Sequence, residues 1–311
     1  MEIYLSAWSM RAQLQRGTLT YLTLPAYARS HGFCGVELFD RFFAAHTKEY
    51  VSEVREALAE SSCGVVVAIG SDFTLARSEP GWQEQFDHVR RFLKVCRDLG
   101  GNTARVSTGG QDMSVQKFLN WLGSHPLPGQ SLDNRHLLQQ RLAIRVASSA
   151  AALRVMSQLK PLLQRERPKA ILLKIERCIA ALRELRPVLD DLDMHLGVEN
   201  HWGISTDPVI LVDLIRRCES DRIGTCPDFG NFSPSQDRYE GLELLALLAK
   251  HVHAKSRAFD ASGEETTIDY RRCLRIFRDA GYDGPFSVEY EGEDDAETAV
   301  DRTRDLIRQY G

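Results

Sequence analysis

The chain has 311 residues, 43% of them hydrophobic and 26% charged, with a formal net charge of -4. Charges of both signs are mixed along the sequence, which excludes a basic field for nucleic acid and a basic amphipathic helix for a membrane surface. No apolar run reaches the about 18 residues that a membrane span needs. One large domain over residues 1–311 is expected, with a small, polar, largely uncharged partner.

The N-terminus enters a strand at once (Ile3 to Ala7), without a charged leader followed by a long apolar stretch, so a cytoplasmic location is expected. The cysteines (34, 63, 96, 178, 218, 226 and 273) are odd in number and lack any C-x-x-C pair, as reduced thiols would be. Further strand-like runs follow at Gly35 to Phe39, Val65 to Ile69 and Thr103 to Ser107, then at Leu196 to Asn200, Ile223 to Cys226, His251 to Lys255 and Phe286 to Tyr290. An amphipathic helical stretch follows each. Asp207-Pro208 supplies a capping carboxylate before a proline at the first helical position, and Leu99-Gly100 and Ala280-Gly281 place glycine after a last turn. Eight alternating strand-helix units predict a closed (β/α)8 TIM barrel of parallel strands, because closure removes the two edges that an open sheet would leave.

One interval, between the fourth and fifth strands, is far longer than the others. Ile171 to Leu192 reads as the ordinary barrel helix, and the remainder, residues 111–169, as a helical insertion with a turn at His125-Pro126-Leu127-Pro128-Gly129. It follows a strand end, so it is expected either to cover the pocket as a lid or to form an oligomer contact; a homo-oligomer is possible on this reading.

The last four strands carry the chemistry. Their ends read V-E-N-H, P-D-F-G-N, H-V-H-A-K and S-V-E-Y-E, placing Glu199, Asp228, His253 and Glu289 at or near the ends of successive strands. Alternate residues of a barrel strand face the axis, so Glu199 groups with His201, His253 with His251 and Lys255, and Glu289 with Glu291. Carboxylates buried without cations are unfavourable by several kcal/mol each, about the magnitude that drives ions into such sites. Lys255 and Arg105 offset part of that charge. Three carboxylates and one imidazole suit a divalent ion, Mn²⁺ best, with Mg²⁺, Co²⁺ or Zn²⁺ as alternatives, whereas a structural zinc would prefer thiolates.

These motifs and their spacing resemble the xylose isomerase-like barrel superfamily, in its sugar isomerase and epimerase branch of tagatose and psicose epimerases and inosose isomerase or dehydratase relatives. The resemblance implies that Glu199, Asp228, His253 and Glu289 are the metal ligands and that Glu199 and Glu289 form a proton-transfer pair on opposite sides of a substrate carbon. Ketose epimerases often carry histidine three residues after the strand-six aspartate; Asn231 stands there, so hydrogen bonding to substrate must differ. DNA-repair endonucleases of the superfamily need extra histidines on strands three and four, which end here in Gly70-Ser71-Asp72 and Val106-Ser107-Thr108; a trinuclear site is not expected.

Proton transfer beside a carbonyl needs a base, a group that returns the proton, and stabilisation of the enediolate between them. Lys255 is placed either to donate to the developing oxyanion or only to balance carboxylates. His201 is placed to assist departure of a leaving group, which would make the protein a dehydratase or lyase on a keto-sugar or inosose, or only to orient its neighbours. Glu37 is expected to bind substrate hydroxyls or to pair with Arg105, which is itself a candidate substrate contact. Trp8, Phe73, Trp202 and Phe229 are expected to wall the pocket, with Asn231 and Glu291 as further substrate contacts. The acidic rim disfavours a phosphorylated substrate, although Arg257 could receive an anion.

Overall fold

The computed structural model describes residues 1–110 and 167–311. The expected insertion therefore lies outside the described residues, apart from its last three. Eight strands alternate with helices: β1 (Ile3–Ser6), β2 (Gly35–Phe39), β3 (Gly64–Ile69), β4 (Thr103–Val106), β5 (His195–Glu199), β6 (Ile223–Cys226), β7 (Val252–Ser256) and β8 (Phe286–Tyr290). All strand pairs are parallel, in the order β6-β5-β4-β3-β2-β1-β8-β7. The last neighbours, β6 and β7, meet through isolated bridges at Thr225–Ala249 and Asp228–His253. Pro227 explains the interruption, since it has no N–H to give a ladder. Its carbonyl still accepts from His253 N–H at 2.9 Å, and His253 C=O accepts from Phe229 N–H at 3.1 Å. The barrel thus closes at the point where Asp228 and His253 must meet.

The described helices outside the barrel are α1 (Arg11–Arg16), α2 (Leu24–Ser30), α3 (Lys48–Glu60), α4 (Trp82–Asp98), α5 (Lys169–Leu192), α6 (Pro208–Arg217), α7 (Arg238–Ala246), α8 (Tyr270–Asp279) and α9 (Ala296–Tyr310). The sequence punctuation acts as expected: Asp207 Oδ1 accepts from Val209 and Ile210 N–H, with Pro208 opening α6. Gly100 and Gly281 take positive φ (93° and 71°) behind α4 and α8. α5 turns Ile171, Ile175, Cys178, Ile179, Leu182, Leu185 and Leu189 to the sheet at helical spacing. No described helix is long and apolar enough to cross a membrane. The seven cysteines are free thiols; five are buried, Cys63 is half-buried and Cys34 is exposed.

At the N-terminal end of the barrel one aromatic ring packs on two neighbouring strands. Tyr4 lies over Gly35 and Gly64, and a Cβ on Gly64 would sit 2.1 Å from the Tyr4 hydroxyl, so only glycine fits beneath it. The opposite end is left for polar side chains.

Candidate metal centre

Each candidate ligand arrives by a different local device. Glu199 is the last residue of β5, Glu289 the fourth of β8, and His253 the second of β7. Asp228 follows Pro227, and its Oδ1 accepts from the backbone N–H of Gly230 (2.6 Å) and Asn231 (3.0 Å). That turn holds the carboxylate and leaves Oδ2 for the barrel axis. Asn200 clamps the same loop: its Oδ1 accepts from Asp228 N–H at 2.6 Å, and its Nδ2 donates to the carbonyls of Asp228 and Asn231, both at 3.2 Å. Gly230 is required because the stem of Lys255 lies against it, 2.6 Å from where a Cβ would be.

The four groups converge. One ligand atom from each of Glu199, Asp228, His253 and Glu289 lies within 4.8 Å of the others. His253 Nδ1 is 2.9 Å from Glu289 Oε2, 3.1 Å from Glu199 Oε1 and 3.7 Å from Asp228 Oδ2. Lys255 Nζ stands on the rim side, 3.2 Å from Asp228 Oδ2, 3.6 Å from Glu289 Oε2 and 3.0 Å from Glu291 Oε2, and donates to Asn231 Oδ1 at 3.1 Å. Arg105 on β4 meets Glu199 Oε2 at 2.6 Å, and Asn231 Nδ2 donates to Glu199 Oε1 at 3.1 Å.

Burial and charge pull these groups in opposite directions. Burial alone would raise the Glu199 carboxyl, but Arg105, His201 and His253 hold it down at about 2. Burial is likewise outweighed at Glu289, where Lys255 and His253 keep the carboxyl well below its ordinary range. Asp228 goes the other way: burial raises it, against the opposing pull of Lys255. Lys255 is itself held protonated, since Asp228, Glu289 and Glu291 outweigh its burial.

The donor set fits a divalent cation. Glu37, Glu199, Asp228 and Glu289 are carboxylates at most 2% exposed, against Arg105 and Lys255 as permanent cations. With His253 neutral, as a metal ligand must be, two negative charges are left over, the charge of one divalent ion. Moreover, Asp228 Oδ2 and Glu289 Oε2 are buried and accept no hydrogen bond. Such oxygens are the ones a hard or borderline cation takes.

A sequence profile described as xylose isomerase-like TIM barrel matches residues 25–310. The chain belongs to that family. Among solved structures, an L-ribulose 3-epimerase is 14% identical, with 99% of this chain and 94% of that chain covered at a TM-score of 0.67. A xylose isomerase-like TIM barrel protein from Mycobacterium smegmatis in complex with magnesium is 17% identical, with 93% and 87% covered at a TM-score of 0.58. A shorter sequence match, 36% identical over 63 residues, is to a C-glycoside deglycosidase alpha subunit of Microbacterium trichothecenolyticum. It spans 20% of this chain and 17% of that protein.

In this xylose isomerase-like barrel the remaining predicted residues divide between rim and interior. Trp8 is partly buried, its Nε1 donating to Glu291 Oε1 at 2.8 Å, so the indole and the carboxylate that also holds Lys255 form one edge of the rim. Trp202 is 46% exposed and packs edge-on against His201. His201 Nδ1 is buried without a hydrogen-bond partner, and burial keeps the ring below its ordinary pKa, hence neutral near pH 7. Arg257 is exposed beyond β7, with its backbone N–H donating to Glu265. Two expectations change. Phe229 is not a pocket wall: it is fully buried among Tyr270, Phe277 and Phe286, packed towards α8. Glu37 does not pair with Arg105, whose partner is Glu199; it lies fully buried beside His253 and His251. Sequence reasoning assigned no role to Asn200, although an asparagine directly after a ligand and facing away from the axis was the available signal. It also passed over the Asp40–His88 contact (2.6 Å) past the end of β2, where nothing in the local pattern marks His88 on α4.

Proposed function

We propose that the protein is a divalent-metal-dependent isomerase or epimerase acting on a neutral sugar, ketose or cyclitol. The observation that carries this reading is the pair Glu199 and Glu289, brought from β5 and β8 to the two nearest oxygen contacts of His253 Nδ1 and both held ionised. Glu199, Asp228, His253 and Glu289 would hold the ion, Mn²⁺ by preference. A divalent cation there supplies a Lewis acid that lowers the energy of negative charge on substrate oxygens.

One carboxylate takes the proton from the carbon beside the substrate carbonyl, leaving an enediolate. For the epimer the other carboxylate first takes up a proton from solvent and gives it to the opposite face of the same carbon, so that the pair ends with its protonation exchanged; for the isomer the first carboxylate returns its own proton to the neighbouring carbon while the hydroxyl proton moves to the former carbonyl oxygen. Lys255 Nζ, held at the rim by Asp228, Glu291 and Asn231, would donate to the developing oxyanion. Trp8 and Trp202 at the rim supply flat apolar surface for a sugar ring. The acidic rim favours an uncharged substrate.

A second reading, elimination from a keto-sugar, is favoured by the match to the C-glycoside deglycosidase alpha subunit. His201 would serve it, as a neutral imidazole with a free buried nitrogen beside the site. Incubation with Mn²⁺ and candidate ketoses and keto-glycosides in D₂O, read by mass spectrometry, separates the two. The proposed function predicts products of unchanged formula, with one deuterium on carbon in an epimer. Loss of water or of an aglycone establishes the second reading, and recovery of every substrate without deuterium refutes both.

A further inference from the structure

Glu37 is a fully buried carboxylate that the proposed reaction does not use. It sits on β2, directly in register with Ser6 and Val66, and no part of it reaches solvent. Its Oε1 is 2.7 Å from His253 Nε2 and 3.4 Å from His251 Nε2. The imidazole of His253 therefore has two different sides. Nε2 faces Glu37, and Nδ1 faces Glu289, Glu199 and Asp228.

We infer that Glu37 is a positioning residue, which fixes the ring of His253 so that Nδ1 and not Nε2 is the nitrogen offered to the divalent cation. This deepens the metal-dependent reading of the site and rests on it. An ionised carboxylate only accepts, so a contact of 2.7 Å to Nε2 requires the proton on Nε2. Nδ1 lies 2.9 Å from Glu289 Oε2 and 3.1 Å from Glu199 Oε1, so the metal-free ring carries a proton on that side as well; a cation held by Glu199, Asp228 and Glu289 would displace the Nδ1 proton and leave the Nε2 proton on Glu37. Metal-ligating histidines are commonly oriented in this way, by a carboxylate that accepts from the other ring nitrogen.

Two other roles for Glu37 fit less well. Direct substrate contact is blocked, since the ring of His253 stands between it and the ligand point. Glu37, His251 and His253 are also close enough to form a second metal trio. A cation there would meet one carboxylate and two imidazoles, against three carboxylates and one imidazole on the Nδ1 side.

The test uses the whole protein loaded with Zn²⁺, which is diamagnetic. Calorimetry gives the affinity and long-range ¹⁵N–¹H spectra give the protonated nitrogen of His253. The inference predicts a proton on Nε2 and metal at Nδ1 in the unsubstituted protein. It also predicts graded weakening of Zn²⁺ affinity: Glu37→Gln, which keeps a neutral acceptor, binds more weakly than the unsubstituted protein, and near-isosteric Glu37→Leu weaker still, by about 10- to 100-fold overall. A packing role would leave both variants with the same affinity. Metal at Nε2, or unchanged affinity in a folded Glu37→Leu, overturns the inference. If either variant fails to fold, the spectrum of the unsubstituted protein decides alone. Failure of the unsubstituted protein to bind any divalent cation is seen before a variant is made, and would refute the metal-dependent reading and this inference together.

Discussion

The two ends of the barrel are filled by opposite means. At the N-terminal end the ring of Tyr4 lies on Gly35 and Gly64, and shape decides which residues fit beneath it. At the C-terminal end Glu199, Asp228, His253, Lys255 and Glu289 occupy the axis, and charge balance decides. The difference teaches where stability ends and chemistry begins in this fold. A shape-filled end tolerates no added atom but is indifferent to ions, whereas a charge-filled end tolerates changes of shape better than changes of charge.

The sharpest way to break this comparison is to remove charge at the C-terminal end while keeping shape. Glu199→Gln and Glu289→Gln are nearly isosteric, yet each deletes the charge of a proposed ligand and one member of the proposed proton-transfer pair. Each is expected to lower kcat by at least about 100-fold, within the range a positioned acid or base contributes. Steady-state turnover under saturating Mn²⁺ checks it. Wild-type-like kcat in both variants would remove the two-glutamate mechanism.

The charge-filled end was legible in the sequence and the shape-filled end was not, for a physical reason. Glu199, Asp228, His253 and Glu289 stand out because carboxylates at inward positions of otherwise apolar strands have no inexpensive structural explanation. Strand positions were also legible: β2, β6 and β8 have the expected bounds, while β3 and β5 each begin one residue earlier. Tyr4 over Gly35 and Gly64 carries no such signal, since glycines in strands have several meanings and their partner is distant in sequence. The partner of Glu37 failed for the same cause. His253 and Arg105 are both inward and both near the axis, and only the closed geometry shows that Arg105 is taken by Glu199.

A second pair of changes compares the ends in one currency, thermal stability. Lys255→Met leaves Asp228 and Glu289 without their cation, and breaking a buried pair of this kind costs about 3–5 kcal/mol. Saturating Mn²⁺ should recover part of that loss, because ligand binding to the folded state adds about 2.7 kcal/mol at a hundredfold excess over Kd. Gly64→Ala instead forces a methyl group against the Tyr4 hydroxyl and should destabilise by about 1–3 kcal/mol, as overpacking does. Its melting temperature should rise with Mn²⁺ by the same increment as the unsubstituted protein. Equal Mn²⁺ increments for Lys255→Met and Gly64→Ala would show that the lysine does not share the ion's role.

The smallest expected effect is also the most discriminating for the independence of the two ends. Tyr4→Phe keeps the ring that fills the space over Gly35 and Gly64 and removes only the hydroxyl, which donates to Glu2 Oε2 at 3.2 Å in a partly exposed setting. A hydrogen bond of that kind contributes about 0.5 kcal/mol net, at the low end of the usual range. Chemical denaturation should register a shift of that size. Mn²⁺ affinity and kcat should stay within about twofold of the unsubstituted protein, since distant sites without shared partners add independently. A larger change in metal affinity would mean that the plug at one end sets the strand positions at the other, and the division of the barrel into a shape-filled and a charge-filled end would fail.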